Sequence, residues 1–133
     1  MTHIKRTFII MGIFTLLGSL LKCKSQSANY QSVNADAFEK CIADTAIVRL
    51  DVRTAKEYAD GHIAKTQNID VLRSDFKTKA LSLLPKNKTI ALYCRSGHRS
   101  KIAANILSTN GYNVSELSNG FNGWVEVGKE VTK

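Results

Sequence analysis

Apolar and polar positions alternate along this chain with two periods. Residues Ala37, Phe38, Cys41 and Ile42 recur at helical spacing, and Asn34 or Asp36 ahead of them is a capping residue type. Ala46-Ile-Val-Arg-Leu50 is short and β-rich, which predicts a strand. Thr54-Ala-Lys-Glu57 has the spacing of a capping box, so a brief helix should start there and stop at Gly61. Ile63 and Asn68-Ile-Asp-Val71 suggest a further short strand, and Ser74 to Leu84 a helix closed by Pro85. Thr89-Ile-Ala-Leu-Tyr93 is apolar on both faces, the mark of a buried central strand. Ser100 to Asn110 follows as a helix with Ile102, Ala103, Ile106 and Leu107 inward and Ser100 as its expected cap. Tyr112 to Leu117 is the last strand, and Asn119-Gly-Phe-Asn-Gly-Trp124 leads into a final helical turn. Ser25 to Gln31 reads as a linker, and the charged end around Glu126 and Glu130 as a frayed terminus.

Strands that alternate with helices predict an α/β fold, a parallel sheet with helices on both faces. Sites in such sheets lie beyond the carboxyl ends of the strands. Cys94 sits there, between strand 89–93 and the helix that follows.

The first 27 residues obey a different pattern. Lys5-Arg6 precedes an apolar run from Phe8 to Leu21, and a polar stretch from Lys22 to Ser27 ends it. A cationic start, a short apolar stretch and a polar end are the plan of an export signal, and a membrane span needs about 20 apolar residues. Residues 1–27 are therefore expected to be a targeting segment and 28–133 a single domain. Cys23 after Leu20-Leu21 resembles a bacterial lipoprotein box, although Lys22 stands where a small residue is usual. Cleavage near Ser25-Gln-Ser27 and retention as a membrane anchor are the alternatives. Each places the domain outside the cytosol, free in the periplasm or held at the membrane.

Charge changes the picture little. The chain carries +8, and the four basic residues of the first 27 leave 15 basic against 11 acidic residues in the remainder. No Lys/Arg run or aromatic-laced basic stripe is present, so nucleic acid is not an expected partner.

The chemistry concentrates in Cys94-Arg95-Ser96-Gly97-His98-Arg99-Ser100. Loop amides and a helix N-terminus favour a thiolate over a thiol, and Arg95, His98 and Arg99 add positive charge. Gly97 permits the tight turn, and Ser96 and Ser100 offer hydroxyls. These six residues are the candidate anion-binding loop around the candidate nucleophile Cys94. A buried cysteine after a strand is often only a small core residue, but the six residues that follow it do not suit a core.

This loop resembles the active loop of single-domain members of the rhodanese family. Leu50-Asp-Val-Arg53, Glu57-Tyr58, Gly61-His-Ile63 and Asn68-Ile69 resemble the family's N-terminal motif in order and spacing. Leu117-Ser-Asn-Gly-Phe-Asn-Gly-Trp124 resembles its C-terminal motif. The match covers roughly residues 31–127. The resemblance implies a parallel sheet of about five strands and a transferable persulfide on Cys94. It implies thiosulfate-like anionic donors and thiol or cyanide acceptors, small or protein-borne. No metal or organic cofactor is implied. It makes Asp51 and Arg53 braces of the loop, His62 a structural histidine, and Trp124 packing beneath the loop. The chain is about half the length of tandem rhodaneses, so the cleft is expected to be open or covered by a partner.

Three rivals stand beside this expectation. A cysteine phosphatase of the same fold has five residues between Cys and Arg, whereas four separate Cys94 from Arg99. A non-catalytic sulfur-carrier or binding module is the second. A redox protein is the third, in which Cys41 would resolve or pair with Cys94; Cys41 is otherwise core on its helix.

Overall fold

The computed structural model describes residues 29–133; the targeting segment and Cys23 lie outside the described residues. Five strands and five helices follow in order: β1 (Gln31–Val33), α1 (Ala35–Ile42), β2 (Val48–Asp51), α2 (Ala55–Asp60), β3 (Gln67–Asn68), α3 (Phe76–Leu83), β4 (Ile90–Tyr93), α4 (His98–Thr109), β5 (Val114–Leu117) and α5 (Gly120–Glu126). The strands form one sheet in the order β1-β5-β4-β2-β3, with every pairing parallel. All five carboxyl ends therefore share one edge, and Cys94 is the first residue past the end of β4.

The period-two alternation of β4 divides the core. Ile90, Leu92 and Cys94 face a cluster with Phe76 and Ala80 of α3 and Ala103, Ala104 and Leu107 of α4. Ala91 and Tyr93 face the opposite cluster, with Phe38 and Ile42 of α1 and Trp124 of α5. Helices thus cover both faces, as expected for a sheet whose central strand is wholly buried.

Local signals set several of the boundaries. Asn34 caps α1 by accepting the Ala37 amide at 2.9 Å. Thr54 and Glu57 close the predicted box: the Glu57 amide donates to Thr54 Oγ1 and the Thr54 amide to Glu57 Oε1, both at 3.2 Å. α4 begins two residues earlier than the pattern suggests, because the active loop itself winds into its first turn. Gly97, not Ser100, occupies the capping position, with no side-chain cap bond.

Three more expectations need correction. The presumed linker ends in a strand: Gln31 starts β1, which pairs with β5 in the register Ser32↔Glu116. The strand expected at 68–71 shrinks to Gln67–Asn68, although the Ile69 and Val71 amides still bond Asp51 O and Val52 O. The C-terminal tail is pinned, not frayed. His62 and Thr132 exchange backbone hydrogen bonds at 2.8 Å, and the Trp124 indole donates to Glu130 O at 2.8 Å.

Among the described residues no helix is long and apolar enough to cross a membrane. Thr54→Ala removes one half of the capping box. It should lower unfolding free energy by ~1 kcal/mol, read from the urea midpoint at unchanged slope.

Candidate active site

The loop from Cys94 to Ser100 curls so that its backbone N–H groups turn toward the sulfur. The Gly97 amide donates to Cys94 Sγ at 3.1 Å. The amides of Ser96 and Ser100 and the Ser100 hydroxyl lie near enough to favour a thiolate, while the Gly97 amide makes the direct hydrogen bond. Gly97 makes the curl through φ +106°, and a Cβ there would lie 2.1 Å from Ser118 O. Any side chain at this position would collide with the backbone after β5.

A second segment holds the curl in place from outside. The Phe121 amide donates to Cys94 O at 2.7 Å and the Asn122 amide to Arg95 O at 2.9 Å. These are free amides of the first turn of α5, so the start of one helix fixes the loop that starts another. The approach is close enough to demand glycine: at Gly120, φ is +63° and a Cβ would sit 2.5 Å from Arg95 O.

The sulfur itself is buried, at 1% exposure. Burial alone pushes the Cys94 thiol up. The Ser100 hydroxyl and the amides of Ser100, Gly97 and Ser96 outweigh that effect, and the net direction is down. A thiolate at this point is desolvated but hydrogen-bonded, which suits a nucleophile that must also hold a second anionic atom in the same cradle.

The side chains of the loop separate into a rim and a clamp. Arg95, Ser96 and His98 are exposed around the mouth. Arg99 is tied down by a carboxylate. Its guanidinium forms a two-pronged pair with Glu57, Nη1 to Oε1 at 2.8 Å and Nη2 to Oε2 at 2.9 Å. Arg99 thus ties the loop to α2, with three of its five N–H donors left over. Ser100 is likewise turned inward: its hydroxyl donates to Glu116 Oε2 at 2.8 Å and caps nothing.

Asp51 and Arg53 form a buried pair at 2.7 Å, and Arg53 Nη2 also donates to Gly61 O at 2.7 Å. Among the described residues neither side chain hydrogen-bonds to the loop. Their brace is indirect. The Arg53 guanidinium lies over the Phe121 ring, 4.1 Å from its centroid, and the Phe121 amide grips Cys94 O. Trp124 packs edge-to-face on Phe38 on the α1 side of the sheet, so it is α5's amides, not the indole, that support the loop. His62 is structural in its contacts: its ring stacks on Tyr58 and bonds Tyr58 O at 2.8 Å.

A cavity of about 300 Å³ opens beside the loop, lined by Arg53, Glu57, Asp60, Gly61, Arg95, Phe121 and Asn122. It is large enough for a small anion or the end of a thiol. A larger cleft of about 530 Å³ lies between α1 and the C-terminal tail and includes no residue of the loop.

Cys41 and Cys94 are both free thiols. They pack on opposite faces of the sheet, so β4 and β5 stand between them and a disulfide would require the sheet to open. Burial pushes the Cys41 thiol up, the reverse of activation.

Two site residues escaped the sequence reading. Glu57 was visible as a cap and a motif residue but not as the partner of Arg99, since that link spans 42 positions. Glu116 was hidden in the last strand. Alternation with buried Val114 places it on a covered face, and a charged residue at such a position was the available signal.

Fold and site together define a class: parallel α/β proteins that hold one cysteine in an amide cradle past the end of a central strand. The sequence profile of the Rhodanese-like domain matches residues 34–127, and the chain belongs to that family. It is 33% identical over 122 residues to the thiosulfate:glutathione sulfurtransferase of Saccharomyces cerevisiae, covering 79% of this chain and 87% of that protein. It is 30% identical over 89 residues to Protein HIGH ARSENIC CONTENT 1, mitochondrial, of Arabidopsis thaliana. That match covers 59% of this chain and about half (53%) of the relative's length. The crystal structure of a rhodanese-related protein from Thermoplasma volcanium superposes with a TM-score of 0.69 at 34% identity, over 77% of this chain and 98% of that one. Sulfurtransferase chemistry is the activity supported at the level of the family.

Two outcomes are expected of the supports. Gly120→Ala should displace the loop and cut turnover on the order of 100-fold while circular dichroism stays native. Arg99 draws the Glu57 carboxyl from 4.5 down to about 2, against burial and with help from Thr54. The folded value lies below the unfolded one. The pair's stabilisation is therefore whole above about pH 5 and fades as pH falls toward about 2. Melting temperatures of wild type and Glu57→Gln should converge over that range.

Proposed function

We propose that this chain is a sulfurtransferase that takes sulfane sulfur from a small anionic donor such as thiosulfate onto Cys94. It then passes that sulfur to a thiol or cyanide. The observation that carries the reading is the buried sulfur with loop amides aimed at it. The Cys94 thiolate attacks the sulfane sulfur, a new S–S bond forms, and the bond to the sulfonate breaks. Sulfite leaves with the electron pair. The outer persulfide sulfur then carries the negative charge, and the amides of Arg95 through Ser100 receive it. In the second half, an acceptor thiolate or cyanide takes the outer sulfur and returns Cys94 as thiolate. The side cavity by Arg53 and Arg95 is the approach for donor and acceptor. No metal or organic cofactor enters this scheme.

The Saccharomyces cerevisiae relative, named for thiosulfate and glutathione, supports a thiosulfate donor and a low-molecular-weight thiol acceptor. The N-terminal pattern supports an exported protein, with acceptors drawn from outside the cytosol and attachment to the membrane at Cys23 or through the apolar run. For a phosphatase, the loop arginine must reach the phosphoryl oxygens across a cradle with five residues between Cys and Arg. Here Arg99 is engaged by Glu57, and the loop is one residue short. A module that only binds would have no use for an activated cysteine.

Steady-state assays with a panel of donors should show thiocyanate production from thiosulfate and cyanide, and Cys94→Ser should reduce it to the uncatalysed background. Release of phosphate from p-nitrophenyl phosphate without thiocyanate would reverse the assignment.

A further inference from the structure

Glu116 lies at the centre of β5, fully buried, and the scheme above does not use it. Its side chain points to the α4 side of the sheet, as does that of Val114. Three donors converge on its two oxygens. Ser32, directly opposite on β1, donates to Oε1. Lys101 of α4 reaches Oε1 at 2.9 Å, and Ser100 donates to Oε2 at 2.8 Å. A carboxylate in this setting has its charge met by an ammonium and two hydroxyls.

Ser100 is the unusual member, because its hydroxyl faces two acceptors. One is Glu116 Oε2, to which it donates, and the other is the Cys94 sulfur, which is turned to the same α4 side of the sheet and is eased toward thiolate by Ser100. A hydroxyl has one proton and two lone pairs, so it cannot donate to both. While it donates to Glu116, it offers the sulfur only a lone pair, which suits S–H and opposes S⁻. When the sulfur ionises, the proton must turn from the carboxylate to the thiolate, and Glu116 loses a donor.

The geometry points to Glu116 as a positioning residue that competes with Cys94 for the Ser100 proton and so sets how readily the nucleophile ionises. Glu116 restrains the thiolate that the amides promote. This deepens the proposed function, since it assumes Cys94 is the nucleophile. Other charges near the pair are Lys101 on α4, Arg99 held by Glu57 of α2, Asp70 after β3, and Arg95 and His98 on the rim. Substitution of Glu116 leaves all of them present.

The test is the pH dependence of Cys94 alkylation by iodoacetamide, followed on the Cys94 peptide by mass spectrometry so that other cysteines do not contribute. It needs no sulfur donor, so it stands or falls independently of sulfur transfer. Glu116→Gln keeps the shape and removes the charge. It should move the midpoint down by about one pH unit, the scale of one strong hydrogen bond to a thiolate. In a Ser100→Ala background the same substitution should move it much less. Ser32→Ala, on the exposed edge strand, should act in the opposite sense, because Glu116 then holds the Ser100 proton harder. It also serves if Glu116→Gln does not fold. An unchanged or raised midpoint in Glu116→Gln would overturn the inference. So would an equal shift with and without Ser100, which would mean that the charge acts through space. If Ser32→Ala is the only folded variant, failure to raise the midpoint overturns it.

Discussion

A sulfur anion at 1% exposure has lost nearly all of its water, and the inward-turned amides of its loop, with the Ser100 hydroxyl, replace it. Everything else at the site serves that replacement. The amides face the sulfur only while the loop stays curled, and the curl depends on restraints that the loop does not itself contain. Phe121 and Asn122 hold two of its carbonyls from α5, and Glu57 holds Arg99 from α2. The Asp51–Arg53 pair fixes Phe121 in turn through its ring. The parallel sheet supplies the frame, because it brings the ends of β2, β4 and β5 to one edge.

The same logic explains why charged residues near the sulfur differ in what they do. Arg99 carries a full charge, yet its hydrogen bonds go to Glu57, so it contributes rigidity more than substrate binding. Arg95 and His98 stand on the rim in water, where attraction to an anion is screened and serves approach more than grip. The grip itself belongs to neutral backbone groups. Such groups favour a thiolate and the outer sulfur of a persulfide alike, so a single cradle suits both halves of the proposed transfer.

Much of this was legible in the chain. Strand 89–93, apolar on both faces, announced the sheet centre, and the polar heptad after it announced the site. Thr54 and Glu57 declared their capping box by spacing alone. The start of α4 was misread because Ser100 is a good capping residue in general, but the loop winds into the helix first and gives Ser100 a different partner. β1 was invisible because three exposed or half-exposed residues at a sheet edge have no periodic signature; its identity comes from pairing with β5. Arg99 reads as an anion ligand when seen with its neighbours in the chain. Its true partner is 42 residues away, a distance over which sequence spacing has no bearing on contact.

In the proposed mechanism Cys94 receives a sulfur atom and the cradle keeps it there. Intact-mass measurement of the protein after brief incubation with thiosulfate and removal of excess donor tests this most directly. The expected result is a gain of one sulfur atom, mapped to the Cys94 peptide, discharged by cyanide and absent in Cys94→Ser. A wild-type protein that gains no sulfur, or that gains it on Cys41 and keeps it when Cys94 is replaced, would contradict it.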